Sequence, residues 1–268
     1  AVAYTEALED VSTNQLFVGT YDLAVVEFPS IQSRLSKLGL VQFPLFGFGV
    51  AVVANVPGIP SERLRLNANV LAAIYMGRIT HWNDPKIAEI NPGLHLPHLE
   101  ITPVAQSDGS VATLNFTRYL ASGSEDWRHT IGIGSGLIWP AGSWEKDSFA
   151  AANKVIQTEG AIGFQPLMNL PRFGLVSTQL QNRQGNFVKL SADNVQQAFR
   201  EFVNQTHPEF IAPVNFPGVN TWPIVGVVYG QMKLVPEDIP DSIETVKLLT
   251  WALKNLKQPP VQYGLTPV

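Results

Sequence analysis

Apolar and polar positions along the chain follow two periods in alternation. Residues 21–26 form an apolar strand, Pro29 breaks it, and residues 31–38 read as a polar helical stretch. A long apolar run covers 41–56, broken by Gly47 and Gly49; its second half is β-branched and continuous, as in a strand buried on both faces. Pro57-Gly58-Ile59-Pro60 ends it with turn chemistry. The pattern then predicts a helix over 69–77, with Val70, Leu71, Ile74 and Met76 on its apolar face and Gly77 as its stop. Asn83-Asp84-Pro85 caps and opens a short helix that runs to Ile90. A strand over 101–105 enters the loop Gln106-Ser107-Asp108-Gly109-Ser110, and a helix carrying Leu114, Phe116, Tyr119 and Leu120 follows. In the last third, 160–164 and 223–229 read as strands and 195–203 as a helix. Ile243, Val246, Leu249, Leu253 and Leu256, three or four apart, predict an amphipathic helix.

This alternation argues for an α/β class. The apolar strands at 50–56 and 224–229 are candidates for two crossings that join two lobes. The length of 268 residues suits one large domain or two small lobes. A net charge of −4 excludes a whole-chain basic footprint, so no nucleic-acid partner is expected. Zero cysteines exclude disulfides, thiolate metal sites and cysteine nucleophiles. No run of 18 apolar residues suggests a membrane span, and the start AVAYTEALED lacks the pattern of a signal peptide, so any leader is expected to have been removed. Two sequons, Asn115-Phe116-Thr117 and Asn204-Gln205-Thr206, make Asn115 and Asn204 glycosylation candidates.

Several blocks resemble the periplasmic phosphate-binding proteins of the PstS type. Gln42-Phe43-Pro44 followed by Gly49-Val50-Ala51-Val52-Val53-Ala54-Asn55-Val56-Pro57-Gly58 is similar to that family's hinge segment. Ile74-Tyr75-Met76-Gly77-Arg78-Ile79-Thr80-His81-Trp82-Asn83-Asp84-Pro85-Lys86-Ile87-Ala88 resembles its helix pair, and Asn91-Pro92-Gly93 continues the match. Ser107-Asp108-Gly109-Ser110 with Phe116-Thr117-Arg118-Tyr119-Leu120 resembles its site loop and helix. Trp139-Pro140, Gly160-Ala161-Ile162-Gly163-Phe164, Thr221-Trp222-Pro223-Ile224 and Thr250-Trp251-Ala252 follow in the family's order. The resemblance implies an α/β, two-lobed periplasmic-binding-protein-like fold (type II solute-binding) with hinge strands. Lobe I would comprise 1–55 plus 221–268, and lobe II 56–220. The family's first βα unit has no counterpart in this sequence, which leaves a sheet position for homo- or hetero-assembly through the N-terminal lobe.

A phosphate site of this kind needs backbone N–H groups, hydroxyls, a bidentate Arg and a carboxylate acceptor. Carried over residue by residue, the resemblance sets Leu8-Glu9-Asp10 where a Gly-Ser-Gly loop is expected and Val26-Glu27 where a Ser-Asp pair is expected. It sets Gln106-Ser107-Asp108-Gly109-Ser110-Val111-Ala112 against the R-x-D-G-S-G-T loop, so Gln106 stands in place of the Arg, Val111 of a Gly and Ala112 of a Thr. Glu27, Gln106, Asp108, Gly109 and Ser110 are the family-equivalent ligand positions. The site on this reading is degenerate: its main cation is lost, and Glu9, Asp10, Glu27 and Asp108 add negative charge. Two carboxylates about 5 Å apart repel by roughly 3 kcal/mol at an effective dielectric near 20. Asp108-Gly109-Ser110 reads equally as a turn with a helix cap, Glu27 as a solvated loop carboxylate, and Trp144 as a ligand platform or a loop-packing side chain.

Other chemistry finds little support. His95 and His98 flank Pro97, which opposes a helix aiming both at one metal. Ser135 lies in no nucleophile elbow, and no phosphate-binding or dinucleotide fingerprint is present. No catalytic residue, metal site or cofactor is expected. The sequence thus points to a secreted, non-enzymatic binding protein for another small ligand or a protein partner. The competing readings are a structural or adhesive module on the same scaffold, and a phosphate receptor of an ABC importer.

Overall fold

The structure, a computed structural model, describes Ala3, Thr5 and residues 9–204, 214–255 and 265–267. In chain order it begins α1 (Glu9–Phe17), β1 (Ala24–Val26), α2 (Gln32–Leu38), β2 (Leu40–Ala54), β3 (Arg65–Leu66), α3 (Ala68–Tyr75) and α4 (Pro85–Ile90). It continues β4 (Thr102–Gln106), α5 (Val111–Gly123), α6 (Glu125–Thr130), β5 (Ser143–Glu145), α7 (Ser148–Gln157), β6 (Ala161–Pro166) and α8 (Leu170–Phe173). The last elements are β7 (Gln179–Gln181), β8 (Phe187–Val188), α9 (Ala192–Asn204), β9 (Val225–Lys233), α10 (Ile239–Asn255) and β10 (Leu265–Pro267).

One strand organises the molecule. β2 pairs antiparallel with β9 from Leu40↔Lys233 to Gly49↔Val225, then with β6 from Val50↔Pro166 to Ala54↔Ile162. The sheet order is β1-β9-β2-β6-β4-β5, with β10 also on β2; β3-β7-β8 form a small second sheet. The predicted run over 41–56 is therefore a single strand that serves two ladders. The changeover is pinned by Val50 N–H donating to the Ile224 carbonyl (2.9 Å) and by Trp222 Nε1 donating to the Val50 carbonyl (3.0 Å). Pro44 has no N–H to give the ladder, and the register shifts between Pro44 and Phe46.

Residues 50–53 are wholly buried because the two faces of this segment serve two cores. Val50 and Val52 join the large cluster, while Ala51 and Val53 pack with Val104, Ala151 and Val155. Gly47 is required by close approach, since a Cβ there would lie 1.8 Å from the Phe199 ring of α9. The large core is aromatic: Phe116 stacks on Phe164 at 4.3 Å, and Tyr75 meets Phe116 edge-on at 5.0 Å. The Tyr75 hydroxyl, in reach of the Val104 (3.3 Å) and Ile162 (3.4 Å) carbonyls, is satisfied inside that core.

Three predicted elements need correction. The strand expected over 21–26 is only Ala24–Val26. The helix expected over 69–77 begins one residue earlier, with Asn67 accepting from Val70 N–H, and Ala68 and Val70–Tyr75 are all buried rather than confined to one face. The C-terminal amphipathic helix forms as α10, yet none of its residues is buried, and Ile243 and Val246 face solvent. Leu256 lies outside the described residues.

Candidate ligand-binding site

The loop 106–110 joins β4 to α5 at the C-terminal edge of the parallel strands β4 and β5. Gln106 closes β4 opposite Glu145 and is almost wholly buried. Its Nε2 donates to the Phe164 carbonyl (2.8 Å), and its Oε1 accepts from Ser110 Oγ (3.4 Å). The Gln106 amide is thus spent on holding β4 against β6 and on the start of α5. Asp108 Oδ1 accepts from Ser110 N–H (3.1 Å), an Asx turn that Gly109 completes at φ 69°. Ser110 is the N-cap of α5, its Oγ accepting from Thr113 N–H (3.3 Å). Gln106, Asp108, Gly109 and Ser110 therefore come together as one unit that builds a helix start. Beyond it stand the first-turn N–H groups of a 13-residue helix, which carry the partial positive charge of its dipole but no side-chain cation.

Glu27 follows directly after β1, whose Val26 pairs with Tyr229 of β9. Both Glu27 and Asp108 are exposed. Exposed carboxylates such as these are screened by water and salt. Leu8 lies outside the described residues, and Glu9 and Asp10 open α1.

Sequence reasoning missed the polar network that holds the loop after Glu27. Gln231 of β9 is fully buried; its Nε2 donates to Gln42 Oε1 (2.8 Å) and Ser30 Oγ (3.2 Å), and its Oε1 accepts from Thr13 Oγ1 (2.9 Å). Gln42 Oε1 also accepts from Ser30 N–H (2.9 Å). The network ties α1 to the 27–30 loop through two strands. The signal was present in the sequence as two glutamines, Gln42 and Gln231, inside otherwise apolar strands.

A second missed group lies on α5. Arg118 Nη1 donates to Asn115 Oδ1 (3.1 Å), and Asn115 Nδ2 donates to the Val225 carbonyl (2.8 Å), fastening α5 to the start of β9. Burial draws the Arg118 guanidinium below its ordinary value, with Tyr229 acting the other way. Burial holds the Tyr229 hydroxyl well above its ordinary value, against the pull of the Arg118 charge. Asn115 is wholly buried with its amide engaged, so the folded chain hides the acceptor nitrogen of that sequon. Asn204 closes α9, and its sequon partners Gln205 and Thr206 lie outside the described residues.

His98 stacks on His81 at 4.6 Å, with its Nδ1 3.3 Å from Asn83 Oδ1. Among the described residues no group of three or more His, Cys, Asp or Glu could hold a metal. Trp144 stands on β5 with half its surface exposed.

A profile of the PBP superfamily domain matches residues 2–205, about three-quarters of the sequence. The chain belongs to the PBP superfamily. Within that superfamily it is 34% identical over 242 residues to a phosphate-binding protein PstS of Xylella fastidiosa, covering 90% of this chain and 66% of that one. It is 29% identical over 255 residues to the PstS of Pasteurella multocida, covering 95% and 74%. The chain therefore spans just under two thirds of the length of the Xylella relative, and it falls with the PstS-type proteins. In fold it matches a high-affinity periplasmic phosphate-binding protein (PfluDING) solved with phosphate, at a TM-score of 0.67 and 18% identity, covering 97% of this chain and 81% of that one. The α/β class and the two-lobed PBP-like architecture expected from the sequence are thus found. Among the described residues no helix is long and apolar enough to cross a membrane.

Proposed function

We propose that this PBP-superfamily chain is a secreted, non-enzymatic solute-binding protein of PstS type whose site no longer holds phosphate tightly. The observation that carries the reading is Gln106. The position equivalent to the family's Arg bears a neutral amide, and that amide is consumed by the Phe164 carbonyl and Ser110. A dehydrated phosphate would meet the α5 N-terminus without a charge-assisted partner, the strongest kind of contact such a site offers. The ligand best suited to what remains is neutral or cationic, bordered by Glu27 and Asp108. The lobes meet at 55/56 and 220/221, beside the changeover of β2 from one ladder to the other.

The relatives named phosphate-binding proteins support a second reading, that of a phosphate receptor, in which the α5 N-terminus and Ser110 suffice without an Arg. Isothermal titration of inorganic phosphate at neutral pH separates the two. The expected result is no measurable heat at submillimolar phosphate. Binding at micromolar or lower concentration overturns the degenerate-site reading and restores the receptor.

A further inference from the structure

Elsewhere in the chain a helix packs its apolar side inward, but α10 runs 17 residues without one buried residue. Its Ile239, Ile243 and Val246 form a stripe at spacings of four and three, and they are 63%, 49% and 50% exposed. Leu234 and Val235, in the segment that leads into α10, are 68% and 79% exposed, while Trp251 stands on another side of the helix, roughly 120° round from Ile239. The five side chains of the stripe and the segment before it expose an area on the order of 500 Å², the size of the largest apolar patches on a monomer (about 300–600 Å²), which are often functional.

The stripe is complementary to itself. Turned antiparallel about Val246, Ile239 of one copy faces Leu253 of the other, Ile243 faces Leu249, Thr250 faces Ser242, and Val246 meets its equivalent. Apolar positions meet apolar ones and polar meet polar. The charges obey the same symmetry: Asp238, which caps the N-terminal end, faces Lys254 in the last turn. Antiparallel pairing sets the acidic end against the basic end and opposes the two helix dipoles, whereas parallel pairing would set like against like. We propose that α10 is the interface of a two-fold homodimer, joined helix to helix about Val246.

Light scattering on the 268-residue chain across a concentration series tests it. The expected mass rises from 29.3 kDa towards twice that value. Val246→Glu returns the mass to that of the monomer while leaving the dilute-solution melting temperature unchanged, because the position is solvent-exposed in the single chain. Lys254→Glu raises the dimer dissociation constant ~10-fold through a lost charge pair, and adding Asp238→Lys to it restores association. A mass of 29.3 kDa at every concentration overturns the proposal, including the case in which the monomer instead sediments with lipid vesicles. A dimer indifferent to Val246→Glu overturns it as well, as does a charge reversal without rescue.

Discussion

Replacing Gln231 by Leu keeps the volume of the side chain and removes its hydrogen bonds. Three are lost: Thr13 Oγ1 loses its acceptor at 2.9 Å, Ser30 Oγ loses a donor at 3.2 Å, and Gln42 Oε1 loses one at 2.8 Å. Gln42 Oε1 keeps the Ser30 N–H, so its loss costs little. Thr13 is buried and cannot turn to water, so its hydroxyl carries a desolvation cost of about 1–3 kcal/mol. The half-buried Ser30 hydroxyl and the remaining bond to Gln42 add about 1 kcal/mol, and the gain from burying an apolar group offsets part of this. The net expected loss is about 2–3 kcal/mol, or a fall in melting temperature of roughly 4–12 °C for a chain of this size. Urea unfolding followed by circular dichroism reads the free energy directly. Thr13→Val in the Gln231→Leu background should recover about 1 kcal/mol or more, because it removes the orphaned donor. A loss below about 0.5 kcal/mol, or two changes that add independently, would show that the network does not hold the α1 and 27–30 segments together.

Other outcomes follow from the same packing. Gly47→Ala drives a methyl into the Phe199 ring and should cost about 1–3 kcal/mol, and Phe199→Leu should return part of it on thermal melting. Tyr75, Tyr119 and Tyr229 are each held above the ordinary tyrosine value of 10.0 by burial. The folded chain keeps their protons while the unfolded chain releases them near pH 10, so their contribution to stability is full below that pH and is lost as pH rises above it. Tyrosinate absorbance should therefore show three of the six tyrosines ionising only together with loss of the circular dichroism signal. Chain produced in a glycosylating secretory host should carry no glycan at Asn115, as peptide mass mapping would show. Occupancy there would mean that α5 docks on β9 only after modification.

The elements that the sequence showed best are those whose pattern comes from burial on a scale of several residues. Residues 50–53, continuous and β-branched, could only be a strand with two buried faces, and so they are. Asn83-Asp84-Pro85 signalled its helix through local chemistry, and Asp84 indeed caps Lys86 N–H (2.8 Å). What stayed hidden depends on distant partners. The α10 sequence has the periodicity of a core helix, and periodicity alone does not state whether a core lies opposite. The site was legible as a loop type but not in its bonding. Gln106 could be read as a substitution, yet its attachment to Phe164, 58 residues further on, is a matter of tertiary register. Gln231 stands out as a polar residue in an apolar strand, but its bond to Thr13 spans 218 residues, so the partner is set by tertiary register.

The shared strand β2 also fixes when the molecule can fold. Its first ten residues pair with β9, and Phe46–Phe48 with β10 as well, both made much later in the chain, and among the described residues β1 pairs with β9. At roughly 5–20 residues per second, a ribosome that has made residue 50 needs on the order of ten seconds or more to deliver residue 225. Through that interval β6 can dock on the far half of β2, so the central residues can assemble first. The stretch from Leu40 to Gly49 meanwhile waits as an apolar strand with an open edge. Premature release or slow translation between residues 170 and 225 would lengthen the wait, and the nascent chain would face its greatest aggregation hazard with its first strands made and their keystone still unsynthesised.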